Sequence, residues 1–291
     1  MGLGTNHFTT TTADVLIPEI WSSKVNDFYR ASLSCAKFFE DWSDELAGGG
    51  DVVHVPNLSQ MTANTKTVGS QVTLNNPTET DVDLTINTHN EVSFVIEDAV
   101  ASKIKKSYRA QERYAMNAGY TVAATLEDAL IALFNGFSQT VGSSALTLND
   151  SNIRQAIAYL DAANVPDEDR AFFLHPYVIW KQVQGIDKFT LIQNTVGADP
   201  VLKGHIGYLY GIPVIKTSRL GVTLGHRNGA LAHKSALAYA TANIAGGDMP
   251  NTVRLQTTYL QEYLGYLVTA DIMFGVIENR DTSGVWIKSS S

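Results

Sequence analysis

The side chains able to do chemistry lie scattered along this sequence. Seven histidines stand at positions 7, 54, 89, 175, 205, 226 and 233, and no two are three or four residues apart. A helix brings only such spacings onto one face, so a helical metal pair and the H-E-x-x-H motif are both excluded. His175 directly precedes Pro176 in "HPYVIWKQVQG", at an expected helix start, where capping or packing accounts for it better than catalysis. A single cysteine, Cys35, excludes an internal disulfide and all but excludes a cysteine-based metal site. It sits in the apolar stretch "SLSCAKFF" without an activating neighbour, which predicts a buried structural thiol on a helix. "DTSG" (281–284) departs from the aspartic-protease triplet by an inserted residue and occurs once, so a β-turn is expected. "GFSQT" fails the nucleophile elbow at its last position, and the glycines of "GHIGYLYG" do not have dinucleotide-binding spacing. The acidic pairs Glu97–Asp98 and Glu127–Asp128 are expected on helical or turn surfaces, where adjacent side chains diverge and make poor acid/base dyads. No catalytic, cofactor or metal site is expected, and the chain is read as a non-enzyme.

The frame that carries these residues is 291 residues long, enough for one large domain or two smaller ones. A hydrophobic content of 44% supports a real core. With 21 basic against 29 acidic residues the net charge is −8, which lacks the clustered cations that grip phosphates. The densest cationic stretch, "KIKKSYR" (103–109), reads as one solvated face near a helix start. "MGLGTNHFTTTT" has no basic start and no apolar run, so no signal peptide is expected, and Asn6 stands where a myristoylation pattern needs Ser or Thr. No apolar run is long enough to span a membrane. A soluble protein of a reducing compartment, or of something assembled there, is expected.

Along the chain, a small, polar, Thr-rich arm of thirteen residues comes first. It has little to bury by itself, so a neighbouring chain is expected to hold it. Residues 18–33 read as a helix with Pro18 in its first turn. From Ser43 to Ser93 there is no Phe, Tyr or Trp, and Thr, Asn and Asp dominate. Near its end Val82, Leu84 and Ile86 alternate with Asp81, Asp83, Thr85 and Asn87, the pattern of a two-faced β ribbon. An isolated ribbon is marginal in water. Nothing else in the chain is an obvious cover, so a neighbouring subunit is expected beneath it. "EVSFVI" (91–96) is a strand, and a long helix from about 108 to 134 follows. Its stripe is Ala115, Ala118, Val122, Leu126, Ala129, Leu130 and Leu133, with Asn135-Gly136 as its stop. Residues 146–250 read as an α/β unit: a helix capped by Asp150 or Ser151, a buried strand "RAFFLH", a helix from Pro176 to Gly185, and a strand "GIPVIKTS". After "GGDMP" the chain is strongly β.

This order resembles the major capsid proteins of tailed bacteriophages, the Hong Kong 97-type fold. The residues carrying the resemblance are "GDVVHVP" opening a polar loop that closes with "DVDLTINTHNEVSFVI", then "TLEDALIALFNG", "FFLHPYVIWKQV" and "GYLYGIPVIKTSRL". The resemblance spans nearly the whole chain and rests on the ordered set rather than on one motif. It implies an α+β protein with an N-terminal arm and helix (1–50), an extended β-hairpin loop (51–95), a peripheral domain of spine helix and β-sheet (96–145 and 251–291) and an α/β axial domain (146–250). The histidine of "HPYVIWKQV" then belongs to the framework of the axial domain.

The resemblance further implies a structural protein that assembles with itself, as hexamers and pentamers, into an icosahedral shell around the DNA genome. It implies a virion location, with assembly in the host cytoplasm. A portal and a separate scaffolding protein are expected partners, the latter because no long helical segment precedes the arm; a decoration protein is a further candidate. Subunit contacts are expected around Thr10, Thr12, Thr65, Lys66, Val68, Glu79, Asp81, Arg109 and Arg113. Some members of the family cross-link this loop through a Lys–Asn isopeptide bond; Lys66 is the only lysine on it, and a solvated or salt-bridged lysine is the expected state. An acidic wall also suits a DNA container, because a cationic one would bind the packaged phosphates tightly. Two other readings fit the same elements: an encapsulin-type compartment shell, which would hold enzyme cargo, and a soluble α+β enzyme or binding domain. A phage tail or decoration protein is a weaker third.

Overall fold

The computed structural model describes residues 30–31, 33–46, 49–101, 110–183, 185–186, 207–223, 225–242 and 253–290. The Thr-rich arm, nearly all of the helix expected over 18–33 and the basic stretch 103–109 lie outside the described residues. The first strands are β1 (Glu40–Asp41), β2 (Val52–Asn57), β3 (Thr80–Thr85), β4 (Thr88–Glu97) and β5 (Gln139–Gly142). Next come β6 (Arg170–Leu174), β7 (Tyr208–Leu209), β8 (Ile212–Lys216), β9 (Val222–Thr223) and β10 (His226–His233). The last are β11 (Leu237–Thr241), β12 (Arg254–Leu260), β13 (Gly265–Glu278) and β14 (Gly284–Ser290). The helices are α1 (Asp98–Ala101), α2 (Ala110–Leu133), α3 (Asp150–Ala162) and α4 (Pro176–Val178).

One sheet is organised around β13, which pairs with β4 along most of its length, and on its other edge with β12 over the first half and β11 near the end; β1 adds to β11. The helix α2 lies across it, about 36 Å long at 1.5 Å per residue. The expected stripe is the buried one: Ala118, Val122 and Leu126 meet Ala270, Ile272 and Phe274. A helix of this length is held by such a stripe more than by its own hydrogen bonds.

The second sheet runs β5–β14–β10–β6–β8–β7, with β9 on β10. On one of its faces α3 and the α4 segment bury Ile153, Leu160, Val178 and Val183 against Phe172, Leu174 and Ile287. Its other face meets the end of α2 through an aromatic cluster, in which Phe39 stacks on Phe173 at 5.3 Å and Phe134 lies 5.5 Å from the same ring. Strand β14 belongs to this sheet, pairing with β10 and β5, rather than to the sheet that carries α2.

The chain passes between the sheets through three short 3₁₀ turns, Phe134–Gly136, Lys234–Ala236 and Asp281–Ser283. They are bonded together. The amides of Asn279 and Arg280 both donate to the Ala236 carbonyl, at 2.9 and 3.1 Å, and the Ser138 amide donates to Asp281 Oδ1 at 2.7 Å. "DTSG" is thus a helical turn entering a strand, not the expected β-turn. Glu278 is partly buried at this waist; burial, with Asp281 beside it, pushes its carboxyl from an ordinary 4.5 up to about 7. The folded chain therefore keeps a proton that the unfolded chain has lost, so stability falls as pH rises from 4.5 to about 7. Glu278→Gln mimics the protonated form and is expected to flatten that fall. Urea midpoints at pH 4.5 and at about pH 7 check this; an unchanged pH slope in the variant would clear Glu278 of the effect.

Several local expectations are corrected. Cys35 is buried, but in a tight turn instead of a helix: the amides of Phe38 and Phe39 both donate to its carbonyl. Burial, with Glu127 beside it, pushes the thiol far above its usual range, so it is inert. Glu127 is no surface acid. It is 1% exposed, and its two oxygens accept from the amides of Ser34, Cys35 and Ala36 at 2.8–3.2 Å. Its neighbour Asp128 does face solvent, where it pairs with Arg219. The cap of α3 is Asn149, whose side chain accepts from the Asn152 amide at 2.9 Å; Asp150 lies in the first turn and pairs with Arg154. The helix from Pro176 loosens after Val178 into a π turn over Ile179–Val183.

Candidate assembly interface

The ribbon is the part of the molecule with the least cover. Its strands β2 and β3 pair antiparallel from Val52↔Thr85 to Asn57↔Thr80. The alternation read from the sequence holds: Leu84 and Ile86 are buried, Val82 is partly so, and Asp81, Asp83, Thr85 and Asn87 are exposed. The cover under the root, however, comes from the same chain. Val53, Leu84 and Ile86 pack on Leu46, Ala238 and Ala240, which corrects the expectation that only a neighbour could support it. The seat is tight. At Gly275 an added Cβ would stand 2.2 Å from the Thr85 carbonyl oxygen.

Beyond the root the chain leaves its own fold. Every residue from 58 to 79 is exposed, and none is in a strand. Leu58, Met61, Val68, Val72 and Leu74 are 60–101% exposed. Five apolar side chains on one unsupported loop is not how a finished surface is built, since isolated exposed hydrophobes are normal and grouped ones mark contacts. The loop still has internal order. Asn64 donates to the Asn75 side chain at 2.8 Å, and Asn75 donates to the Thr62 carbonyl at 2.6 Å. Gly69, at φ +84°, turns the tip, and the Lys66 ammonium donates to the carbonyls of Thr67 and Ser70 across that turn. Lys66 is therefore bonded to backbone, with no salt bridge among the described residues.

Of the residues expected at contacts, Thr65, Lys66 and Val68 lie together at this tip, Glu79 at its return, and Asp81 on the outer face of the ribbon. Arg113 is on the first turns of α2, partly buried and not part of that group. Thr10, Thr12 and Arg109 lie outside the described residues. The apolar residues of the tip went unremarked in the sequence, as did a second exposed group at the turn between β12 and β13. There Tyr259, Tyr263, Leu264 and Tyr266 are 41–65% exposed, with Tyr259 and Tyr266 in edge contact at 5.1 Å. The run "YLQEYLGYL" held that signal: a turn made of Tyr and Leu has no reason to be so apolar unless something covers it.

The polar groups that could have made an active site are engaged in structure. The His175 side chain accepts from the Tyr177 amide at 3.0 Å, the cap expected of it. Asp271 is gripped by Arg254 at 2.7 and 2.9 Å and by His89 at 3.0 Å, ties that cross from β12 through β13 to β4. The Arg254 guanidinium, with His89, holds the Asp271 carboxyl below its usual range although burial opposes this. The cleft between the ribbon root and the body is lined by Glu40, Trp42, Val55, Pro56, Ser235 and Arg280; Ser235 lies 2.8 Å from His233 Nδ1, a contact made within the cap of the Lys234–Ala236 turn, where the same nitrogen accepts from the Ser235 amide.

No family model matches the chain, and no curated protein matches it in sequence. Solved structures do match. A structure from Mycobacterium phage Che8 superposes with a TM-score of 0.78 at 21% identity, covering 98% of each chain. The capsid structure of the cyanophage P-SCSP1u gives 0.77 at 16% identity, covering all of this chain and 98% of the other. The fold is a phage capsid fold. A third structure, the mature capsid of bacteriophage PhiM1, agrees at a TM-score of 0.75 and 12% identity, with 98% and 96% covered. The matches run over nearly the whole length of this chain and of each of those chains.

Proposed function

We propose that this chain is a major capsid protein that assembles with itself into the icosahedral head shell enclosing a phage DNA genome. The observation that carries this reading is the fully exposed, apolar-bearing segment 58–79 on a chain whose fold matches capsid subunits throughout. A loop that its own chain leaves uncovered is a part that another copy completes. Under this reading the subunits form hexamers and pentamers, the location is the virion after assembly in the host cytoplasm, and the role is structural, without catalysis. Residues 51–95 act as the extended loop, 96–145 with 251–291 as the peripheral domain and 146–250 as the axial domain. Strands β5 and β14, from the peripheral range, pair in the sheet of the axial range, and β11, from the axial range, pairs with β13, so the ranges are interlocked. Contacts run through Thr65, Lys66, Val68, Glu79 and Asp81, with Thr10, Thr12, Arg109 and Arg113 as further contact positions. A separate scaffolding protein, a portal and a decoration protein are the partners this reading expects.

Electron microscopy of the purified protein tests it. Closed shells, or spirals and tubes of hexamers, are expected; a uniform monomer would refute the shell reading. Limited proteolysis supplies the second expected result. Cleavage within 58–79 is expected to be rapid in the free subunit and slowed at least tenfold in the shell; equal rates would show that this segment is not an interface. Nuclease-protected DNA inside the particles separates a phage head from an encapsulin-type compartment. A denaturing gel of mature particles is expected to show monomer only, since the Lys66 ammonium is held by its own turn.

A further inference from the structure

The outer face of the ribbon carries a group of three side chains, of which the assembly reading uses only Asp81. His54 Nδ1 lies 2.5 Å from Asp83 Oδ1 and 3.8 Å from Asp81 Oδ2. One ligand atom from each of the three residues falls within 4.8 Å of the other two. The ladder places them. His54 stands directly opposite Asp83, and Asp81 follows two residues along on the same face. Ligands borne on paired strands keep their spacing better than ligands on a loop, and this pair of strands is anchored by Val53 and Leu84 in the core.

Charge argues in the same direction. Asp128, Asp150, Asp161 and Asp271 each have an arginine partner. Asp81 and Asp83, side by side, have only His54 among the described residues. Lys66, the one lysine on the loop, is taken up by backbone carbonyls at the tip. Like charges at this spacing repel, and a cation between them reverses the sign of the interaction.

We propose that His54, Asp81 and Asp83 bind one divalent transition-metal ion of the zinc class. An imidazole nitrogen with two carboxylate oxygens suits such ions, whereas calcium and magnesium favour oxygen-only sets. Tetrahedral ligands at about 2.0–2.2 Å from the ion stand roughly 3.3–3.6 Å apart, so the His54–Asp83 contact has to open by about 1 Å, which exposed side chains can do by rotation. All three side chains are more than half exposed, leaving room for waters to complete the coordination. The ion would bridge β2 and β3 in the middle of the ribbon. The site belongs to a single chain, so it stands whether or not the chain builds a shell.

Calorimetric titration of the purified full-length protein with zinc chloride tests the site. The expected result is one site per subunit, weakened at least tenfold by His54→Gln and by Asp83→Asn. His89→Gln, which removes another exposed histidine, is expected to leave it unchanged. Because the three ligands face solvent, the variants are expected to keep the circular dichroism of the parent. The absence of a stoichiometric site, retention of parental affinity in His54→Gln, or calcium binding as tight as zinc would each overturn the proposal.

Discussion

Gly275→Ala is expected to unseat the ribbon. The added methyl would lie 2.2 Å from the Thr85 carbonyl oxygen, 2.9 Å from its carbon and 3.2 Å from Leu84 Cδ2. The first two are backbone atoms, so no rotamer change relieves the contact; β3 must move away from β13. Overpacking of this kind costs about 1–3 kcal/mol, occasionally more. Here the displaced strand also carries Leu84, which is fully buried. The expected outcome is faster proteolysis of residues 51–87 in the free subunit and a loss of shell yield larger than the loss of stability alone would cause. Gly221→Ala is the control, since an added Cβ there meets nothing within 4 Å. Parental shell yield with Gly275→Ala would show that the seating of the ribbon is immaterial to assembly.

Glu127→Ala should have the largest effect on stability. The carboxylate gathers three consecutive amides, those of Ser34, Cys35 and Ala36, and so fixes the turn that delivers Phe38 and Phe39 to the aromatic cluster. Removing it leaves buried donors without an acceptor, and losing one partner of a buried charged contact costs about 3–5 kcal/mol. That is a large share of the roughly 5–15 kcal/mol that holds a typical domain together. Glu127→Gln is expected to recover little, because its NH₂ would face donors. Urea midpoints of the unassembled subunit measure both variants; a shift below about 1 kcal/mol for Glu127→Ala would mean that water replaces the carboxylate.

These two residues also show where sequence reading reached its limit. The spine was legible because the stripe from Ala118 through Leu130 recurs at helical spacing, and the ribbon because Val82, Leu84 and Ile86 alternate with aspartates. Glu127 was not, since its partners lie more than ninety positions earlier and an acid beside Asp128 on a helix reads as solvated. The support under the ribbon was hidden because Ala238, Ala240 and Gly275 are small; they work by making room, which leaves no hydrophobic signature. The His54–Asp83 juxtaposition depends on a strand register closed across 29 residues, and local pattern does not fix such a register. The Asn149 cap was missed by one residue because Asn149, Asp150 and Ser151 are all good caps and only backbone geometry chooses among them.

The three bonded turns between the sheets have a mechanical meaning. A pull that separates the two halves of the chain acts on three covalent backbones side by side. Each bears part of the load, and none can peel open ahead of the others while Ala236 and Asp281 bind across them. Tilting one half against the other is opposed as well, by the packing of Phe39 and Phe134 on Phe173 and by the Asp128–Arg219 pair, which join the halves away from the turns. The seam past Gly136, Ala236 and Glu278 therefore behaves as a riveted joint more than as a hinge.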